Sequence, residues 1–550
     1  MTNQQSTFRI PRSAFIILIV ALAIFVRLLP GERMIDDAYI TFRYARNLVN
    51  GLGFVYNPGE HVLGTTTPLY TLLLAALSLL LRTPNFPSIA LGVNALADGI
   101  TCALLALLGE RLSGSRRVGI AVGALYAIAP FSVTFAIGGM ETSVFVLLLI
   151  LTAFLYLRSD SISPHTHIPL WPLAAALAVL TRPDAIIFIG PIALDFAIRW
   201  SRAVRKSPPA TRHSLVRFGL LELAVFIAPL IPWLLYATFY FGTPIPHSLA
   251  AKSAAYHLNP TEGFVRLWQH YSTPFFEQAT FGEIPLGNYW PLPGLIIYLS
   301  LYLIGAVNFA RRDRRAWAVT IYPLVYFVIF AIANPLIFRW YLTPPLPFYF
   351  VGIVGGVSRI ADSISPIARS RRKAQPDDSI PRAPTPRYSH TLFTLPFILF
   401  LALSLRAWTL TPDHGPQRPA PAMAWFKLEQ LYTQVGRELA PEITPQTVIA
   451  AGDIGALGYF SGARVLDTLG LVSPKSTDYY PLPLDQLVIS YAIPADLITD
   501  QQPDYVVFLE VYGRRTLLMD PRFLAEYSLQ KKIGTDIYGS DGMLIYRRLP

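Results

Sequence analysis

The residues best suited to acid–base chemistry in this chain are two adjacent carboxylates, Asp36 and Asp37, in the stretch Met34-Ile35-Asp36-Asp37-Ala38-Tyr39-Ile40-Thr41-Phe42-Arg43-Tyr44-Ala45-Arg46-Asn47. A carboxylate can take the proton from an incoming hydroxyl, and nearby cations can neutralise an anion as it departs. Both kinds of group lie within this one segment. Ala38, Phe42, Ala45 and Val49 recur at helical spacing as an apolar stripe, Gly51 supplies a stop, and Tyr39, Arg43 and Arg46 repeat on another face. The pattern predicts an amphipathic helix at a membrane surface whose start presents two carboxylates beside two guanidinium groups. Aspartate is also a good N-cap. Asp37 directly precedes Ala38 and reads as the more natural cap, which leaves Asp36 as the favoured base; the plainer alternative is that one acid caps the helix and the other is solvated.

Other ionisable residues allow two readings each. Glu141 follows Gly138-Gly139 at a helix start, where it either complements the helix dipole or serves as a second carboxylate facing substrate. Arg182 and Asp184 flank Pro183 and form either a paired turn or a functional pair at the rim of a helix bundle. Lys252 shares a loop with His247 and is either solvated or a phosphate-binding cation. Arg339, at the end of an apolar run, either snorkels to headgroups or holds a phosphate in bidentate fashion. No His or Cys cluster supports a metal site, so no metal ligand is named; a carboxylate-held Mg²⁺ or Mn²⁺ stays open as a cofactor. Gly452, Gly455 and Gly458 follow a strand-like run, but their spacing does not match the dinucleotide fingerprint and reads as a structural turn.

The elements that must position these groups are membrane helices. Of 550 residues, 53% are hydrophobic and only 14% charged, and the mean hydropathy is positive, which excludes an ordinary soluble globular protein. Candidate spans of roughly 20 apolar residues lie near 13–30, 88–110, 117–137, 143–157, 169–181, 184–198, 218–241, 286–310, 316–334, 341–360 and 390–408, about eleven crossings. The first follows Arg9 and Arg12 without a small-residue cleavage site and reads as a retained signal anchor. Basic residues cluster between spans, at Arg199–Arg217, Arg311–Arg315 and Arg369–Lys373. Such clustering is the positive-inside pattern, so the net charge of +11 points to membrane lipid and away from nucleic acid. The same rule favours a turn at Thr181-Arg182-Pro183-Asp184 over one fused helix, because Arg111, Arg116, Arg117 and Arg158 then fall in the cytoplasm. Residues 66–82 must in that case form a re-entrant or surface-lying helix. The active site and everything after about 409 then lie outside the cytoplasm.

The lone cysteine, Cys102, sits in an apolar run and can form no disulfide within the chain. Residues 361–388, rich in Arg, Ser and Pro, read as a flexible cytoplasmic loop. The C-terminal part differs in kind: a Pro-rich linker over 411–422, a helix over 423–440 and β-type runs at Thr447–Ala451, Tyr505–Leu509 and Met543–Tyr546. The expected fold class is therefore an α-helical polytopic membrane protein over 1–410, with a small extracytoplasmic α/β domain over 411–550.

The order of the motifs adds a resemblance. Asp36-Asp37-Ala38-Tyr39-Ile40 after the first apolar helix is followed by Gly51-Leu52-Gly53-Phe54-Val55-Tyr56-Asn57-Pro58-Gly59-Glu60 and Gly64-Thr65-Thr66-Thr67-Pro68-Leu69-Tyr70. Further on come Gly139-Met140-Glu141-Thr142, Thr181-Arg182-Pro183-Asp184, Gly242-Thr243-Pro244-Ile245-Pro246-His247-Ser248 with Ala251-Lys252, and Arg339-Trp340-Tyr341-Leu342. Over most of residues 30–345 this series resembles the GT-C superfamily, and within it the actinobacterial terminal arabinofuranosyltransferases that use decaprenyl-phosphoryl arabinose.

The resemblance implies a glycosyltransferase of the inner membrane that moves a pentose or hexose, with inversion, from a polyprenyl-phosphate donor to an envelope glycan, lipid or protein. It implies an acidic residue acting as general base, here Asp36 or Asp37; the candidates for substrate binding are Tyr39, Arg43, Arg46, Glu141, Arg182, Asp184, His247, Lys252, Arg339 and Tyr341. His247 stands where the family pattern has Asn, a departure that bears on the sugar. The rival classes are a polytopic transporter or lipid-linked-sugar flippase and a catalytically silent scaffold that binds envelope glycan. The polar motifs gather on one face and no inverted repeat is evident, which counts against a transport path.

Overall fold

The computed structural model of the chain describes residues 11–159, 169–276, 291–364, 387–409, 418–424 and 427–550. Long apolar runs rich in Leu, Ala and Phe form helices, broken at Pro, Gly and polar turns. The helices are α1 (Arg12–Leu28), α2 (Asp36–Val49), α3 (Pro68–Leu81), α4 (Phe86–Ser113), α5 (Arg116–Ile128), α6 (Pro130–Ile137), α7 (Thr142–Arg158), α8 (Leu170–Thr181) and α9 (Ile186–Lys206). They continue with α10 (Pro209–Ile227), α11 (Leu230–Phe241), α12 (His247–Ala255), α13 (Glu262–Ser272), α14 (Pro291–Arg312), α15 (Ala316–Thr320), α16 (Tyr322–Ala333), α17 (Leu346–Ile364) and α18 (Arg387–Arg406).

Each of the eleven apolar stretches read from the sequence contains helix. By length and composition three of them could cross a bilayer unaided: Phe86–Ser113, Pro291–Arg312 and Ala316–Ala333. Two bent pairs reach the same length, α5 with α6 at 47° and α10 with α11 at 41°. Helical geometry stops at Arg182 and resumes after a 3₁₀ turn at Pro183–Ala185, so α8 and α9 are separate helices. The 14 residues of α3 rise about 21 Å, short of a hydrocarbon core of roughly 30 Å. Residues 286–290, 365–386 and 410–417, which hold the start of one expected span, most of the expected cytoplasmic loop and most of the expected linker, lie outside the described residues.

The bend between α5 and α6 has a local cause and a local remedy. Pro130 has no N–H to donate, and carbonyls near it lose helical partners. Arg27 of α1 fills the gap: its guanidinium donates to the Ala127 carbonyl, to Ser132 Oγ at 2.6 Å and to Asp98 of α4 at 2.8 Å. Both members of the Arg27–Asp98 pair are buried. A charge flanking the first apolar run in the sequence thus ties α1, α4 and the α5–α6 bend together.

The C-terminal unit begins with α19 (Lys427–Leu439) and carries a five-stranded sheet of β3 (Val448–Ala451), β4 (Arg464–Asp467), β5 (Tyr505–Leu509), β6 (Tyr527–Ile533) and β7 (Met543–Arg548). A two-stranded pair, β1 (Trp408–Thr409) with β2 (Ala420–Pro421), precedes it. The sheet order is β4-β3-β5-β7-β6; β3 runs parallel to β4 and β5, while β7 is antiparallel to both its neighbours. The three expected strand runs are β3, β5 and β7. Strands β4 and β6 were not foreseen: β4 is four residues long and β6 is exposed along most of its length, so neither shows a clear apolar alternation.

Between β3 and β4 lies a short helix, α20 (Gly455–Ser461), and this helix seats the C-terminal unit on α2. The surfaces are so close that a Cβ on Gly455 would stand 1.8 Å from the Asp36 carbonyl oxygen. The glycine run read as a turn is therefore a packing device. Gly455→Ala forces the two helices apart, and the melting temperature of detergent-solubilised protein is expected to fall, the cost being about 1–3 kcal/mol as for other overpacked sites.

Candidate functional site

Nearly all of α2 is buried between the apolar helices and the C-terminal unit, so it is not the surface-lying amphipathic helix its spacing suggested. Its charged face turns toward protein. Neither acid caps α2 itself; Ile35 occupies that position without a side-chain hydrogen bond. Asp36 instead accepts the N–H groups of Gly455 and Ala456, both at 2.8 Å, and so caps α20 of the other unit. Arg43 donates to the Tyr56, Gly458 and Ala463 carbonyls at 2.9, 2.5 and 2.6 Å and to Asn57 Oδ1 at 3.3 Å, and stacks on Tyr56. Arg46 donates to the Tyr459 carbonyl at 2.8 Å and lies over the Tyr459 ring. Tyr39 packs edge-on against Phe42 and Phe460. Asp36, Tyr39, Arg43 and Arg46 thus hold the C-terminal unit in place. None of the four lines the cavity described next: the acid favoured above as base and the two arginines expected at the phosphate are engaged with the C-terminal unit instead.

Asp37, one residue on, faces elsewhere. Half-buried, it lines a cavity of about 260 Å³ together with Glu141, Arg182, Asp184, Lys252 and Tyr341. Among the described residues its carboxylate has no hydrogen bond or ion pair. Arg182 is fully engaged: Nε and Nη2 bind Asp184 at 2.9 and 3.0 Å, Nη1 binds Glu141 at 3.3 Å, and the guanidinium lies between the rings of Phe145 and Tyr341. Two of the three lining carboxylates therefore share one guanidinium as their partner. Lys252, on the first turns of α12, holds its ammonium 4.7 Å from the centre of the Phe338 ring, at the edge of the same cavity.

Two more expected site residues, beyond the four on α2, stand outside the lining. Arg339 donates to the Met423 carbonyl at 3.5 Å, and Trp340 and Tyr341 take its place at the wall. His247 starts α12 with its backbone N–H on the Leu63 carbonyl, and burial holds its imidazole below the ordinary range. The neighbouring Ser248 lines the cavity instead, with Thr41 and the run Thr65-Thr66-Thr67. These hydroxyls lay within the quoted motifs but were given no role, since a single hydroxyl has no charge or spacing to mark it. The C-terminal unit adds Leu471 to the wall. Its loop is folded around Asp467, which accepts the N–H groups of Leu469 and Val472, and whose carboxyl burial pushes up to about 6. Among the described residues no group of three His, Cys, Asp or Glu is placed to hold a metal ion. No step is assigned to a divalent cation.

Comparison with known proteins follows the same lines. Across 98% of both chains the structure superposes on ArnT from Cupriavidus metallidurans, with a TM-score of 0.53 and 14% identity for the form bound to undecaprenyl phosphate and 0.55 and 13% for the apo form. The chain has the GT-C fold. It is a multi-pass membrane protein, as the GT-C neighbours and the apolar helices agree. In sequence it is 29% identical over 231 residues to the terminal beta-(1->2)-arabinofuranosyltransferase of Mycobacterium tuberculosis. The match covers 40% of this chain and 35% of that relative, so the chain spans about a third of the relative's length. Residues 423–546 match a family model described as a domain of unknown function, DUF8728. That region packs on the helix bearing Asp37.

The joint between the two parts is acidic. Burial, then the neighbouring Asp453 and Asp37, raise the Asp36 carboxyl well above the ordinary range. Burial likewise pushes Asp453 up to about 6 and Glu429 up to about 8. Acids whose pKa values are raised on folding bind more protons folded than unfolded, between the ordinary values and the raised ones. Their contribution to stability is full at acid pH and is lost as pH rises through that window. The thermal midpoint in detergent is expected to fall as pH is raised from about 5 to about 8, and Glu429→Gln is expected to flatten the upper part of that slope.

Proposed function

We propose that the chain is a membrane glycosyltransferase that moves a sugar from a polyprenyl-phosphate carrier to a hydroxyl of an envelope glycan, lipid or protein. The observation that carries this reading is the unengaged Asp37 carboxylate facing a cavity whose other carboxylates, Glu141 and Asp184, are bound by Arg182. Asp37 takes the proton from the acceptor hydroxyl as its oxygen bonds to the anomeric carbon. The bond from that carbon to the phosphate oxygen breaks, and polyprenyl phosphate departs. Lys252 offsets the charge that grows on the departing phosphate. Arg182, with every nitrogen occupied, shapes the wall beside Asp37 and lessens the negative charge that the two further acids present to the donor.

The 29% identity to an arabinofuranosyltransferase supports a pentose donor, and the likeness to ArnT bound to undecaprenyl phosphate supports a lipid-phosphate carrier. Both favour a transferase over a transporter or flippase. Inversion follows from the family resemblance and agrees with a single free carboxylate, since one displacement needs one base. We place the cavity and the C-terminal domain, residues 411–550, outside the cytoplasm, and count eleven crossings in residues 1–410. Reporter fusions after Arg116, Lys206, Arg312 and Arg372 are expected to report cytoplasm, and fusions after Gly59, Ala255 and Gly539 the outside. An outside signal at Arg116 would make residues 66–82 a crossing.

The chemical test separates the two acids. Asp37→Asn keeps shape and loses only the proton acceptor, so it should express normally and transfer sugar at least about 10²-fold more slowly, the lower end for a lost general base. Asp36→Ala leaves two buried N–H groups without an acceptor, at about 1–3 kcal/mol each. Its expected phenotype is reduced stability and yield. An Asp37→Asn variant with wild-type transfer from every polyprenyl-phosphate sugar tried would remove this cavity from the mechanism.

A further inference from the structure

One wall of the cavity carries no charge. Thr41, Thr65, Thr66, Thr67 and Ser248 line it with hydroxyls. Three of them bond to one another, Thr41 to Thr67 at 3.5 Å between oxygens and Thr65 to Thr67 at 3.1 Å. The segment that bears them is fixed from two sides: Tyr44 of α2 donates to the Val62 carbonyl and accepts the Gly64 N–H, and the Leu63 carbonyl accepts the N–H at the start of α12. These bonds bring Ser248 to the wall. Its side chain is buried, 5% exposed, and its Oγ has no hydrogen-bond partner.

A buried hydroxyl without a partner is costly and uncommon. Ser248 sits on the cavity, so a ligand there can supply what the protein does not. Lys252 lies one helical turn further along the same face of α12, which puts the unpaired hydroxyl beside the cation offered to phosphate. Resting on the transferase reading above, we propose that Ser248 is a specificity-determining residue whose Oγ hydrogen-bonds a hydroxyl of the donor sugar, the sugar being a neutral, hydroxylated one. The uncharged wall accepts such a sugar, while Asp37, with no cation bound to it, stays directed at the acceptor. A neutral hydroxyl pair discriminates by loss of the bond: a sugar lacking its hydroxyl leaves Ser248 unpaired again.

The test uses the full chain in detergent or nanodiscs with farnesyl-phosphoryl arabinofuranose and its single-deoxy analogues. Ser248→Ala should lower kcat/KM for the parent donor roughly 5- to 100-fold. For one deoxy analogue the wild type and the variant should be equal, because each already lacks one half of the bond; this non-additivity marks a direct contact. Ser248→Thr, which restores the hydroxyl, should recover part of the loss. Donor binding followed by thermal shift on the same proteins gives a second readout that does not need turnover. An unchanged Ser248→Ala in both assays would overturn the proposal, as would an equal loss with the parent and every deoxy analogue. Absence of wild-type transfer with retained, Ser248-dependent binding would instead overturn the transferase reading and leave the contact standing.

Discussion

A single buried cation organises the joint on which the site depends. Among the described residues Arg43 has no carboxylate partner; its guanidinium is satisfied by three carbonyls and one amide oxygen, two of the carbonyls belonging to the C-terminal unit. An ionised group held this way is tolerated only with its donors satisfied, so the geometry on both sides is closely constrained. A lysine offers three donors on a flexible stem and cannot reproduce the fork. Around this centre Asp36 caps α20, Asn57 binds both the N–H and the carbonyl of Val465 in β4, and Tyr56 donates to the Ile454 carbonyl. The C-terminal unit is fastened to α2 by backbone groups, which substitution in that unit does not remove.

The consequence for the cavity is direct. Leu471 forms part of the wall, and it lies four residues past the end of β4, whose Val465 pairs with Asn57. A Cβ on Gly64 would meet the Leu471 carbonyl at 2.9 Å and Val472 at 2.5 Å, so the threonine segment and the C-terminal unit are in contact as well. The site is thus composite. Helices α2, α7, α8 and α12 bring the charged groups or the lone hydroxyl, and the last unit of the chain closes them in.

Much of this was legible in the sequence because it depends on hydropathy and on punctuation. Helix lies at each of the eleven apolar runs, the helix breaks at Arg182-Pro183 where the distribution of arginines placed a turn, and Asp37, Glu141, Arg182, Asp184, Lys252 and Tyr341 do meet at one cavity. What was not legible depends on partners distant in the chain. Asp36 binds amides about 420 residues away, and Arg43 a carbonyl at a similar separation. No local pattern distinguishes an arginine aimed at a phosphate from one aimed at a carbonyl of another unit. The same holds for Arg27 and Asp98, whose pairing with each other and, through Arg27, with the Ala127 carbonyl at the α5–α6 bend joins residues that are 71 and 100 positions apart.

The division of labour between the two acids follows from helix geometry. Successive residues on an α-helix point about 100° apart, so a helix packed on both sides can offer adjacent side chains to different neighbours. Asp36 is fixed by two amides of α20, and that fixation sets the rotation of α2 about its own axis. Asp37 is then carried into the cavity wall by the backbone, without a hydrogen bond of its own to hold it. A side chain that faces a cavity is well placed only when the helix that bears it is itself fixed, and the bonds of its neighbour supply that fixation. The bonds of Asp36 to α20 thus decide which way its neighbour Asp37 faces.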